Sequence, residues 1–413
     1  MKKKSNFGKF IILWVGELVS SIGSGLTALG LGVYIFNKTG SAASMALITL
    51  LGFLPSLVLS VPAGVLADRY DRRLLMMIGD GFSAMGVFFI LICMLRGEAT
   101  LWQICVGVFI SAVFSALLEP SFRATITDLL TEEEFSRASG LVSLAGSARY
   151  LFSPVIAGLL LSVSDVKLLL IIDIATFLLT VTGAAVVRKG IGVQVSENRE
   201  AFFSSLKTGW KALSEKKGLL FLVAISAGIT LFMGMFQILA EPLILAFCDA
   251  KTLGIAETVC ACGMLASGLI LGIKGIKKHY VAFLTIALFM AGIFMFGFGL
   301  FENIIPVCIF GFLFFAMLPF ANNCLDYLTR TNISADKQGR VWGLIGFISQ
   351  LGYVVAYTVS GAAADALGKI GGRGVGRGAA LVIIAAGICM SAVSIVIFFP
   401  KSIRALEKQG GNI

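Results

Sequence analysis

Apolar residues run through this chain in continuous stretches of roughly twenty, separated by short clusters of charge, glycine or proline. Twelve such stretches can be read, at 10–36, 43–67, 74–96, 100–121, 138–163, 167–188, 218–246, 252–274, 279–301, 303–326, 341–366 and 379–400. Each is long enough to cross a hydrocarbon layer of ~30 Å as an α-helix rising ~1.5 Å per residue. Because the apolar positions run on without alternating, membrane β-strands are disfavoured. The pattern predicts an all-α polytopic membrane protein. Its gaps are short except for a polar stretch near 189–217, which leaves six helices on either side. The expected organisation is a six-helix bundle over 1–190, a linker over 191–217 and a second six-helix bundle over 218–413. In the linker, Phe203, Leu206, Trp210 and Leu213 recur every three or four residues, with Lys207, Lys211 and Glu215 between them. That spacing predicts an amphipathic helix lying in the membrane interface.

Composition agrees: the chain is 58% hydrophobic and 14% charged, with a mean hydropathy of +0.95. Orientation follows from the loop cations. With a cytoplasmic N-terminus, that side receives Lys2, Lys3, Lys4, Lys9, Arg69, Arg72, Arg73, Arg123, Arg137, Arg188 and Lys189, the linker, Lys274, Lys277, Lys278, Arg330, Lys337, Arg340, Lys401, Arg404 and Lys408. The opposite side keeps only Lys38, Arg96, Lys167, Lys251, Lys369, Arg373 and Arg377. Both termini are therefore expected in the cytoplasm. Topology and attraction to anionic lipid account for the net charge of +10 without a nucleic-acid partner. The basic Met1-Lys-Lys-Lys4 leads into a helix too long for a signal core, so no cleavable signal peptide is expected. The eight cysteines form no CxxC pair and the single histidine, His279, has no ligand companions, so neither a metal nor another cofactor is implied. No GxxxxGK[ST] sequence is present, which disfavours ATP hydrolysis.

One stretch is conspicuous against this apolar background. Gly64-Val-Leu-Ala-Asp68-Arg69-Tyr-Asp71-Arg72-Arg73 knots charges of both signs into the turn between spans 2 and 3. The two halves also repeat. Arg137-Ala-Ser-Gly140-Leu141 corresponds to Arg340-Val-Trp-Gly343-Leu344, and in the same register Tyr150 meets Tyr353 and Gly158 meets Gly361. Pro120-Ser-Phe corresponds to Pro319-Phe, and the knot has a degraded copy in Gly268–Lys277 that keeps the basic charge without the aspartates. Two halves with one internal order imply parallel repeats about an axis along the membrane normal, with a cavity between them. That is transporter architecture.

The knot resembles the loop signature of the major facilitator superfamily. Within it, Trp14-Val-Gly-Glu-Leu-Val-Ser-Ser-Ile-Gly23, Thr39-Gly-Ser41, Gly263-Met-Leu-Ala-Ser-Gly268 and Gly339-Arg-Val-Trp-Gly-Leu-Ile-Gly346 resemble bacterial macrolide-efflux-type exporters, over essentially the whole chain. The resemblance implies a monomeric secondary transporter of the bacterial plasma membrane and not an enzyme. It would export a hydrophobic, drug-like compound, neutral or cationic, by alternating access in exchange for protons. The alternative is a lysophospholipid flippase or siderophore exporter of the same fold. Two features depart from the proton-coupled drug exporters. Residues 101–118 contain no arginine, and the antiporter pattern of span 5 survives only as Gly146-x3-Tyr150-x3-Pro154-x3-Gly158. In the resembling family the aspartate at Asp68 faces the start of span 11. The resemblance thus implies a cytoplasmic latch of Gly64, Asp68, Arg69, Asp71, Arg72 and Arg73 with Asp128 and Arg340, in which Gly64 lets spans 2 and 11 lie close.

Ionisable residues inside spans are costly, ~2.5–3.5 kcal/mol each at a helix centre, so each is a candidate for function. Glu17 lies in span 1 with no basic residue in helical reach, suited to exchanging a proton or neutralising a cationic substrate. Arg149, in span 5, requires a carboxylate or water beside it, and Glu17, Glu119 and Asp173 are its possible partners. Glu241, followed by Pro242, shares a face with Gln237 and is a gate or substrate-contact candidate. Asn322, Asn323 and Asp326, at the cytoplasmic end of span 10, are candidates for helix-end capping or for the gate. Among the aromatic residues, Phe36, Phe232, Phe236, Tyr353 and Tyr357 are the candidates to line an apolar cavity.

Overall fold

The computed structural model describes residues 6–188, 210, 213–214, 217–276, 278–333, 338–372, 374–398, 403 and 406–407, and all regular structure among them is helical. The first half comprises α1 (Phe7–Thr39), α2 (Ala42–Arg69), α3 (Arg72–Leu95), α4 (Leu101–Ser115), α5 (Leu118–Leu129), α6 (Phe135–Val163) and α7 (Val166–Arg188). The second comprises α8 (Lys217–Leu245), α9 (Ala250–Lys274), α10 (Tyr280–Leu300), α11 (Ile304–Arg330), α12 (Gln338–Ile370) and α13 (Gly374–Phe398). Twelve membrane-length apolar spans result, α4 and α5 together making one of them. Most of the linker in which an amphipathic helix is expected lies outside the described residues; of it only Trp210, Leu213, Ser214 and Lys217 are described, each helical.

The turns follow from local chemistry. Asp71 accepts from the backbone N–H of Arg73 at 3.1 Å and caps α3. Thr100 and Gln103 form a reciprocal capping box at the start of α4. Gly40 ends α1 in the left-handed conformation at φ 60°, its N–H donating to the Phe36 carbonyl. The fourth span departs from the expected 100–121. It breaks at Ala116–Leu117 and resumes as α5, where Pro120 has no N–H to offer the preceding turn and is tolerated because it falls in the first turn. Helix α5 is amphipathic: it buries Phe122, Thr125 and Leu129 and exposes Glu119 and Arg123. An apolar run therefore stops near residue 121 while the helix continues.

Two compact units are present. One gathers α1, most of α2, α3 to α7 and the first turns of α9 (Ala250–Ile255); the other gathers Ser41–Ala46, α8, the rest of α9 and α10 to α13. In the first unit α1 packs on α7 through glycines spaced seven apart. A Cβ on Gly16 would lie 3.2 Å from Thr180, one on Gly23 2.5 Å from Thr176 Oγ1 and 2.9 Å from Asp173 Oδ1, and one on Gly30 2.6 Å from Leu169. This seam lets the two backbones approach closely, and it places the Asp173 carboxylate against α1. On another face, Trp14 Nε1 donates to the Leu141 carbonyl at 2.7 Å and Ser153 Oγ to the Ile22 carbonyl at 3.0 Å, so α6 is keyed to α1 by polar contacts.

Candidate functional site

In the first unit, carboxylates from three helices converge. Glu17 of α1 and Asp80 of α3 lie about 15 Å and 12 Å along their helices from the end that carries the charged knot. Asp173 of α7 is 1% exposed and Asp80 4%. Ser24 Oγ donates to Asp173 Oδ1 at 3.4 Å, and Asp80 faces the Thr180 hydroxyl. Asp80 is in electrostatic contact with both Glu17 and Asp173, and Arg149 of α6 is in electrostatic contact with both Glu17 and Asp173. Arg149 itself is exposed, with its stem against Gly25 of α1.

The structure brings Glu17, Arg149 and Asp173 into one cluster and adds Asp80, which the sequence reading passed over. Asp80 carries the same signal as the others, an acid within a span, but sits between Gly79 and Gly81, a pair that suggests a turn. Glu119 is corrected as a partner of Arg149. It pairs instead with Arg123 at 2.9 Å, one helical turn away on the exposed face of α5, because the break after α4 carries it to that surface. It still contributes electrostatically at Glu17. The cluster thus sets three carboxyl groups, from α1, α3 and α7, against one guanidinium from α6.

The second unit holds a different set. Glu241 of α8 and Glu257 of α9 are in electrostatic contact, and Gln237 accepts from the Tyr357 hydroxyl at 2.8 Å. Gln237 and Glu241 thus have separate partners, Tyr357 and Glu257. Tyr353 stacks 5.7 Å from Tyr357 in tilted geometry. Phe236 is corrected as a cavity residue. It is 3% exposed and packs against Phe298, Phe314 and Phe315 at centroid distances of 4.5, 4.6 and 5.4 Å, a geometry that favours aromatic core packing. Phe36 and Phe232 are partly buried within their units. Asp326 pairs with Arg330 at 2.7 Å, whose guanidinium lies over the Trp342 ring, while Asn322 and Asn323 are exposed. A cavity of about 310 Å³ lies at the end of the first unit remote from the knot, among Tyr34, Asn37, Glu98, Asp165 and Lys167, and none of the clustered carboxylates lines it.

The knot is tied inside its own unit. Arg72 and Arg73 both reach Asp128 of α5, at 2.5 and 3.2 Å. Arg72 also donates to the carbonyls of Ala67 and Ala124 at 3.2 and 2.9 Å. Asp71 accepts from Arg188 at the end of α7 at 2.7 Å. Asp68 and Arg69 are exposed. Arg340 lies in the first turn of α12, its side chain outside the described residues. A Cβ on Gly64 would meet no atom within 4 Å. Within the second unit the first turn of α2 lies close to α12: a Cβ on Gly361 would meet the Ala42 carbonyl at 2.6 Å and Ala43 Cα at 2.7 Å.

Comparison with known proteins matches this architecture. A family model described as Major Facilitator Superfamily matches residues 13–357. The chain belongs to the Major Facilitator Superfamily of membrane transporters. It is 29% identical over 381 residues to Macrolide efflux protein A of Streptococcus pyogenes, covering 89% of this chain and 92% of that protein. It is also 29% identical over 324 residues to Macrolide efflux protein A of Enterococcus faecalis, covering 76% and 98%. Among solved structures, the nucleoside transporter NupG superposes with a TM-score of 0.75 at 12% identity, over 95% of this chain and 100% of that one. A bacterial homolog of the human lysosomal transporter Spinster, inward-facing and unoccupied, gives 0.71 at 14% identity, over 99% of both chains. These two structures share the fold.

Proposed function

We propose that this transporter exports a hydrophobic, macrolide-like compound from the bacterial cytoplasm in exchange for protons, with both termini cytoplasmic. The observation that carries the reading is that Asp80 interacts electrostatically with Glu17 and Asp173, and that the Arg149 guanidinium interacts with the same two carboxylates. A basic, largely apolar compound suits such a site. Its cation substitutes for protons at the carboxylates while its apolar body contacts the surrounding aliphatic surface. Protons and substrate would then compete for one negative charge surplus, which is the physical requirement for exchange. The likeness to macrolide efflux proteins over most of the chain supports the substrate class.

The test is uptake of a radiolabelled macrolide into proteoliposomes with an imposed pH gradient. Accumulation that follows the gradient and vanishes when it is collapsed is the expected result. Gradient-independent movement of a lysophospholipid probe, with no macrolide accumulation, would replace this reading by that of a lipid flippase.

A further inference from the structure

We propose that Asp365 of α12 is a charged latch that holds the first turn of α2 and must let go once in each transport cycle. On the orientation proposed above, it lies near the outer ends of both helices. Its carboxylate accepts from Ser41 Oγ at 2.5 Å, from the Ala42 N–H at 2.8 Å and from the Ala43 N–H at 3.3 Å. The first N–H groups of any helix have no partner within it, and here a residue from a distant part of the chain supplies one. The positive end of α2 adds a favourable field for the anion. Ser41 Oγ also accepts from the Ser44 N–H at 3.2 Å, so the serine is fixed from both sides.

The second observation is steric. One helical turn before Asp365, Gly361 lies so close to Ala42, Ala43 and Ala46 that a Cβ would come within 2.8 Å of each. Ala42, Ala46 and Ala364 are 0, 2 and 0% exposed. The seam is therefore dry and tight, with the carboxylate at its margin.

The internal repeat shows what is particular about this contact. The register that pairs Gly158 with Gly361 pairs Ser162 with Asp365. In the first unit, Gly158 meets the backbone of Ala250 and Lys251, and Gly254 meets the Pro154 carbonyl. Among the described residues, Ser162 there donates to the Leu159 carbonyl of its own helix. The first seam is thus closed by backbone and small residues, and the second carries a charged anchor as well. Charge-assisted hydrogen bonds are about twice as strong as neutral ones, so Asp365 biases the cycle toward the conformer with this seam closed. It does so whichever compound is carried.

The experiment is hydrogen exchange at the amides of Ala42 and Ala43 in the full-length protein in nanodiscs. Since these first-turn amides depend on Asp365, Asp365→Asn is expected to speed their exchange about tenfold, the loss of one charge-assisted bond. Exchange in α10 should stay unchanged. Gly361→Val, which leaves the carboxylate intact and forces the seam apart, is expected to do the same. Ser41→Ala, which removes one donor to Asp365 and keeps the carboxylate, should give a smaller increase at the same two amides. Fast exchange at Ala42 and Ala43 already in the wild type would overturn the latch. So would unchanged exchange in Asp365→Asn and Gly361→Val, or an increase spread equally through α10 and α13.

Discussion

Glu17→Gln is expected to leave the protein folded and inserted but to reduce proton-driven efflux to the level of empty liposomes. The substitution keeps the shape of the side chain and removes the one group in the cluster that comes from α1. Without it, Arg149 is balanced by Asp173 alone, and the negative surplus that a proton or a basic substrate must neutralise becomes smaller. Asp80→Asn is expected to act in the same direction, because Asp80 is in electrostatic contact with both other carboxylates. Measurement of macrolide uptake at matched protein insertion separates this from misfolding. Proton-driven uptake at the wild-type rate in Glu17→Gln would remove the residue from the mechanism.

The second large effect concerns stability. Asp128→Ala leaves Arg73, whose side chain is 2% exposed, without its carboxylate, and Arg72 without one of its partners. Breaking a buried pair by deleting one member costs about 3 kcal/mol or more, since the remaining charge is stranded. A fall of several degrees in the temperature of half-unfolding in detergent is the expected reading. The pair Arg73→Leu with Asp128→Leu should be milder than Asp128→Ala alone, because the buried Arg73 charge is no longer stranded and Arg72 keeps its bonds to the Ala67 and Ala124 carbonyls. If the double variant is the worse of the two, the pairing is not what holds α3 to α5.

These two predictions rest on features that differ in how far the sequence displays them. Length and apolarity alone specify a transmembrane helix, because hydrocarbon offers no partner for backbone groups, so all twelve spans were legible. Glu17, Arg149 and Asp173 were legible as residues, since an ion in a span is rare. Their convergence with Asp80 was not, because it depends on which faces α1, α3, α6 and α7 turn to one another. Between α1 and α7 the close seam runs through the glycines at 16, 23 and 30, whose role emerges only once Thr180, Asp173 and Leu169 stand opposite them. The aromatic residues show the opposite limit. Phe236 and Tyr357 are one type of signal in the sequence, yet one is locked in a ring cluster and the other hydrogen-bonds Gln237. Hydrophobicity reports that a side chain avoids water and says nothing about whether its neighbour is protein or ligand. Asp365 shows a third case. Its partners lie more than three hundred residues away, at a distance in sequence that no local pattern spans.

The competition proposed between proton and substrate at the carboxylate cluster has a direct test. Purified protein in weakly buffered detergent solution, titrated with a basic macrolide, should release protons as the compound binds, and the apparent Kd should tighten as pH rises. Glu17→Gln should bind with less proton release and a flatter pH dependence. Binding that releases no protons and keeps one Kd across the pH range, in wild type and variant alike, would contradict the account.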